Sequence, residues 1–177
     1  AQPIASPVIE VESSNTVQPT GNSAVQSNPM IVDPLQPVKL VISSIGVSTS
    51  VESLGTTPEG LIAVPKSYAV AGWYNKSSTP GKAGPSVLVG HYTGGQNGVF
   101  DNLKNLNNGD LITTTNAKGQ SFTYRVVAKQ EYEKDKVPMA EIFKKGNDSR
   151  LEIITCAGKW QANTYNNRLV VTAELVK

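Results

Sequence analysis

From Pro37 onward, apolar and polar residues alternate in short runs broken by turn residues. The stretches V-K-L-V-I-S-S-I-G-V (38–47), S-V-L-V-G-H (86–91) and D-L-I-T-T-T (110–115) are rich in β-branched residues. So are S-F-T-Y-R-V-V-A-K-Q-E-Y (121–132), R-L-E-I-I-T-C (150–156) and R-L-V-V-T-A-E-L-V (168–176). Such residues fit a pleated, half-buried surface, and each run predicts a strand. Residues 110–127 predict a hairpin, with Asn116 and Gly119 as turn formers. Helix signals are short: V-F-D-N-L-K-N-L over 99–106 and M-A-E-I-F after Pro138. Many short strands with little helix predict an all-β domain, either a closed barrel or a sandwich.

Residues 1–36 break this pattern. They are rich in Ser, Pro, Gln, Asn and Thr and hold no aromatic residue. Such a composition buries too little apolar surface to offset the entropy of ordering, so a flexible linker is expected ahead of a folded domain at 37–177. The linker could also fold back as a lid. At 177 residues the chain suits one domain with a substantial core. A net charge of +2, with thirteen scattered lysines, gives no basic footprint for nucleic acid. A single cysteine excludes an internal disulfide. No apolar run reaches the roughly 20 residues that span a bilayer, and any signal or anchor segment is expected outside this chain.

One cysteine, one histidine and three arginines leave few routes to chemistry. Alternation in 150–156 puts Leu151, Ile153 and Thr155 on one face and Glu152, Ile154 and Cys156 on the other. In the last strand Leu169, Val171, Ala173 and Leu175 form an apolar face, and Arg168, Val170, Thr172 and Glu174 the wetter one. Eleven residues, A-G-K-W-Q-A-N-T-Y-N-N, separate Cys156 from Arg168 as a connecting loop. If the two strands pair antiparallel, thiol and guanidinium share one end of the sheet. Arg150 is a poorer partner, roughly 20 Å away along the same strand, and Arg125 belongs to another strand. An arginine there would favour the thiolate and could bind an oxyanion. His91, just beyond a strand and before a glycine-containing loop, could serve as acid and base. On these grounds Cys156 is either a nucleophile or a small apolar residue filling a strand.

The same segments resemble the sortases, cysteine transpeptidases of bacterial cell surfaces. L-V-G-H-Y matches their histidine segment, I-I-T-C the Thr-Cys strand end, and N-N-R-L-V-V the arginine that opens the last strand. A-G-W-Y-N-K-S-S-T-P-G-K-A-G-P-S-V-L-V-G-H looks most like class F and neighbouring class E members, and G-V-F-D-N-L-K-N-L-N-N-G-D matches the segment after the histidine. Ile153-Ile154 replaces the T-L-x that usually precedes Thr-Cys, which leaves the subclass open. The order His, Cys, Arg separates the chain from papain-like and NlpC/P60 peptidases, which place Cys before His.

The resemblance implies a closed eight-stranded β-barrel with short helices and a groove across its face. Cys156 would attack the Thr-Gly bond of an L-P-x-T-G-type sorting motif and form a thioester. His91 would move protons, Arg168 would steady the oxyanion, and Thr155 would shape the substrate pocket. The acyl group would pass to an amine, anchoring surface proteins to the cell wall from the outer face of the bacterial membrane. Cofactor and metal are expected to be absent, and the chain is expected to be a monomer. The segment 133–149 resembles the variable loop lining the sortase groove, with its charges read as solvated. Trp160 and Tyr165 either cover the site or pack their loop, and Trp73 and Tyr74 mark a core edge.

Two further readings stand beside this one. A pilin-polymerising sortase would use a lysine of another pilin, with Asp33-Pro34-Leu35 as a lid motif. A non-catalytic β-barrel binding module would keep Cys156 as a structural residue. A hydrolytic peptidase is the closest enzyme alternative, since water can also discharge an acyl-enzyme.

Overall fold

The computed structural model describes residues 33–177. Residues 1–32, most of the expected linker, lie outside the described residues. Eight strands close into one barrel: β1 (Pro37–Ile42), β2 (Val47–Leu54), β3 (Ala71–Tyr74), β4 (Gly84–Val89), β5 (Leu111–Asn116), β6 (Ser121–Glu133), β7 (Ser149–Gln161) and β8 (Thr164–Leu175). Around the barrel they run β1-β2-β3-β4-β7-β8-β6-β5. The β2–β3 and β4–β7 pairs are parallel and the others antiparallel. The closed form, rather than a sandwich, leaves no free sheet edge.

The inward positions of every strand meet in one core. Leu40 and Ile42 of β1, Leu88 of β4, Ile112 of β5, Tyr124 of β6, Leu151 and Ile153 of β7, and Val171 of β8 are all fully buried there. Each such side chain contributes about 1.5–3 kcal/mol by leaving water. At the end where β1 begins, the Tyr124 hydroxyl accepts from Gly81 N–H at 2.8 Å and bonds Ser149 Oγ at 3.1 Å, so the one polar atom of that core tyrosine is satisfied.

Several expectations change in detail. The run 38–47 is not one strand. β1 ends at Ile42, a 3-10 turn spans Ser43–Ile45, and Gly46 reverses the chain at φ 71° into β2. The helix expected over 99–106 shrinks to a 3-10 turn at Leu103–Asn105, whose N-cap Asn102 makes no side-chain cap. The second helix is a single turn, α1 (Met139–Ile142). The predicted hairpin forms as expected, with Asn116 Oδ1 accepting from the backbone N–H groups of Lys118 and Gln120 at 3.0 and 2.9 Å. Among the described residues no helix is long and apolar enough to cross a membrane.

Asp33-Pro34-Leu35 forms a turn leading into β1. Leu35 N–H donates to Asp33 Oδ1 at 2.9 Å, and Gln36 N–H to the Asp33 carbonyl at 3.0 Å. Ala117 N–H reaches the Gln36 carbonyl at 3.1 Å, which places the turn at the barrel end shared by Asn116 and Leu175. Cys156 and Arg168 lie at the other end, seven residues along β8 from Leu175, or roughly 23 Å.

Candidate active site

The strand register pairs the thiol with a guanidinium and runs the strand that precedes His91 alongside. Cys156 of β7 and Arg168 of β8 are direct cross-strand partners, as are Arg168 and Tyr132 of β6. Directly opposed residues on one face of an antiparallel pair hold their Cβ atoms about 5 Å apart. β4 runs parallel on the other side of β7, with Val89 opposite Ile154. That register ends two residues before His91 and Cys156, on neighbouring chains about 4.8 Å apart. Thr155 keeps the chains together at that point: its hydroxyl donates to the Gly90 carbonyl at 2.8 Å. Gly90 is needed there, because a Cβ would come within 2.5 Å of the Phe100 ring.

The expected faces of β7 and β8 are correct, but the outer one is drier than expected. Val170 is 5% exposed and joins Val87, Ile142 and Ile154 in a second apolar cluster outside the barrel. The β6–β7 loop supplies the cover through Val137, Ile142 and Phe143, and the β2–β3 loop through Ile62. The loop charges are solvated as expected: Lys134–Asp135 and Lys136–Glu133 pair at the surface at 2.8 and 3.0 Å. Arg150 secures this cover. Its Nη2 donates to the carbonyls of Glu141, Ile142 and Lys144 at 3.4, 3.2 and 3.3 Å, and its Nε stands 3.2 Å from buried Glu152. Burial pushes the Glu152 carboxyl up, opposed by the Thr172 hydroxyl bond and by Arg150.

The eleven residues after Cys156 are not a loop. β7 and β8 continue as a hairpin to a two-residue turn at Ala162 and Asn163, with φ of 45° and 62°. Positive φ at both turn positions matches the twist of the strands, although Ala tolerates it less well than Asn. Gly158, at φ 80°, takes up a register shift between Ala157 and Trp160, and a Cβ there would meet Asn166 Oδ1 at 2.2 Å. Trp160, Tyr165 and Tyr92 pack edge to face in a chain, with centroids 5.0 and 4.9 Å apart. They tie the hairpin to the residue after His91, and Trp160 remains 61% exposed.

The electrostatics at the thiol oppose each other. Burial pushes the Cys156 thiol up, and the Arg168 charge pulls it down. Arg168 is itself anchored: its Nη1 donates to the carbonyls of Tyr165 and Asn167 at 3.0 and 2.8 Å. Beside Cys156 lies a pocket of about 50 Å³, lined by Tyr92, Asp101, Lys104, Glu131 and Thr155 among others. Asp101 braces the chain after His91 by accepting from Thr93 N–H at 2.6 Å, Thr93 Oγ1 at 2.9 Å and Gly98 N–H at 2.8 Å. Phe100 N–H adds a bond to the His91 carbonyl at 3.0 Å.

Comparison with known proteins fixes the family. The family model described as Sortase domain matches residues 40–176. The chain is a member of the sortase family. No curated protein sequence matches it. Among solved structures, this sortase is similar to sortase C-1 of Actinomyces oris, at 28% identity and a TM-score of 0.61 over 80% of this chain and 75% of that one. A Clostridium perfringens Sortase D5 transpeptidase gives 22% identity and 0.61 over 80% and 79%. Sortase A of Listeria monocytogenes gives 22% and 0.60 over 80% and 88%. The sortase fold, a closed mixed barrel of eight strands, is thus the one expected from the motifs.

Of the expected site residues, Arg168 pairs directly with Cys156, Thr155 bonds the residue before His91, and the His91 imidazole contacts Pro65 and Tyr68. Trp73 is a buried core residue, and Tyr74 joins the outer cluster against Phe143. Missed by sequence reasoning are Pro65 and Tyr68, both touching His91, and Asp101. Only Asp101 carried a local signal, since an acidic residue three after Gly98 in a turn is a common backbone acceptor. Pro65 and Tyr68 lie more than twenty residues from His91, and no periodicity connects them.

Proposed function

We propose that this sortase is a transpeptidase that cleaves the Thr-Gly bond of an L-P-x-T-G-type sorting motif through Cys156. The observation that carries the reading is the cross-strand pairing of Cys156 with Arg168, next to the Thr155 bond to Gly90, the residue before His91. The Cys156 thiolate attacks the threonine carbonyl, and the oxyanion forms within reach of the Arg168 guanidinium. His91 protonates the departing amine and later accepts a proton from the incoming one. Because burial raises the thiol, the thiolate is the minority form at neutral pH, and Arg168 recovers part of it. The Thr155 hydroxyl is committed to Gly90, so its contribution to the substrate pocket is its position and methyl group rather than a hydrogen bond to substrate.

The acceptor is an amine of a peptidoglycan precursor, the acyl donors are surface proteins bearing the motif, and the site of action is the cell surface. Residues 37–177 constitute the catalytic domain and 1–36 a linker. The class E or F resemblance rests on the G-W-Y and P-G-K-A-G-P segments. The test is intact mass of the protein with an L-P-x-T-G peptide, beside Cys156→Ala, before and after adding triglycine. A Cys156-dependent adduct that triglycine converts to ligated peptide is expected. An adduct that only water discharges would support a peptidase, and no adduct on a rapidly alkylated thiol would exclude this motif.

A further inference from the structure

Two contacts from the β2–β3 loop fall on the imidazole of His91. The Pro65 carbonyl stands 2.6 Å from Nε2. The Tyr68 ring lies against the imidazole with centroids 4.6 Å apart and planes at 60°. A carbonyl oxygen can only accept, so Nε2 carries the proton in that bond. In the neutral ring Nδ1 is then the unprotonated nitrogen. The gripping segment has anchors of its own: Val99 N–H donates to the Tyr68 carbonyl at 2.8 Å, and Thr49 Oγ1 to the Ala69 carbonyl at 2.7 Å. Upstream, Ile62 is packed into the outer apolar cluster.

We propose that Pro65 and Tyr68 are positioning residues for His91: the Pro65 carbonyl keeps a proton on Nε2, the Tyr68 ring fixes the ring plane, and Nδ1 is the atom through which protons pass to and from substrate. This rests on the catalytic reading of Cys156 and His91 given above. The thiol proton moves to Nδ1, giving thiolate and imidazolium. The thiolate then forms the C–S bond, the C–N bond breaks, and the Nδ1 proton leaves with the amine. In the second half Nδ1 takes a proton from the incoming amine as the new C–N bond forms and the C–S bond breaks, and that proton returns to sulfur. Through both halves the proton on Nε2 stays with Pro65.

His91 is the only histidine, so labelling histidine with nitrogen-15 reports one imidazole without ambiguity. Tyr68 is 45% exposed, and Tyr68→Ala therefore removes the ring contact without opening the core. In the full chain, at a pH where the ring is neutral, the expected spectrum has a protonated-type Nε2 and an unprotonated-type Nδ1. In Tyr68→Ala both shifts should move toward the average of two tautomers. The variant's kcat should fall by roughly tenfold with the peptide KM little changed. Tyr68→Phe should restore both readouts. A proton on Nδ1 in the wild type, or unchanged shifts and kcat in Tyr68→Ala, would overturn the proposal. Absence of any Cys156-dependent adduct would overturn it by removing the catalytic reading beneath it. The spectrum remains readable in that case, so the two failures are distinguishable.

Discussion

The two faces of β7 carry residues of similar size in opposite circumstances. Leu151, Ile153 and Ala157 point into a core enclosed by all eight strands. Glu152, Ile154 and Cys156, one residue out of phase, point outward to a surface on which two loops pack with Tyr74 and Tyr132. On the inner face the barrel itself guarantees burial. On the outer face burial depends on Ile62, Ile142 and Phe143, and so on whatever holds their loops. The difference explains how a strand can be a core element and carry the candidate active-site thiol at once. The inner face supplies rigidity, and the outer face ends in a thiol beside a cation, partly covered and accessible at the barrel end.

Substitutions on the two faces should therefore separate stability from chemistry. The largest expected effect is Cys156→Ala, which should abolish peptide adduct formation while changing the unfolding free energy by less than about 1 kcal/mol. Arg168→Ala follows, with the loss of about 10²–10³ in kcat that the proposed oxyanion role predicts, measured against the same peptide. On the inner face Ile153→Ala should cost about 2–5 kcal/mol in denaturant unfolding, while the folded fraction keeps its turnover. Glu152→Ala, on the outer face, is intermediate in effect. It strips Arg150 of its buried carboxylate, and should cost about 1–3 kcal/mol and raise the peptide KM as the β6–β7 loop loosens. The smallest effect is expected for Trp160→Ala at the exposed tip of the hairpin, within about 0.5 kcal/mol by thermal unfolding. If Ile153→Ala and Cys156→Ala gave the same profile, the contrast between the faces would be lost.

What could be read in advance follows the same division. Period-two alternation placed Leu151, Ile153 and Cys156 on the correct faces, because a strand side chain has only two directions to choose between. The antiparallel pairing of β7 with β8 then put Arg168 opposite Cys156 with no further information. β2 and β3 were not read from alternation: V-S-T-S-V-E-S-L buries a residue only every fourth position, and A-G-W-Y is four residues long. The hairpin beyond Cys156 was hidden for another reason. Its turn is Ala162-Asn163, and Ala does not announce a positive φ as Gly or Asn would. The dryness of Val170 and the grip of Pro65 on His91 come from loops distant in sequence, and no local pattern encodes such contacts.

The pairing of Cys156 with Arg168 is the claim on which the site depends, and the single thiol permits a direct test. Burial raises the thiol, so its alkylation by iodoacetamide should rise with pH through a midpoint above the ordinary thiol range. Removing the guanidinium removes the one influence that lowers it, so in Arg168→Ala the midpoint should move further up and the rate at neutral pH should fall. The decisive measurement is that pH–rate profile in the wild type and Arg168→Ala. A higher midpoint in the variant supports the pairing. Superimposable profiles, or a thiol inert in both until the protein unfolds, would contradict it.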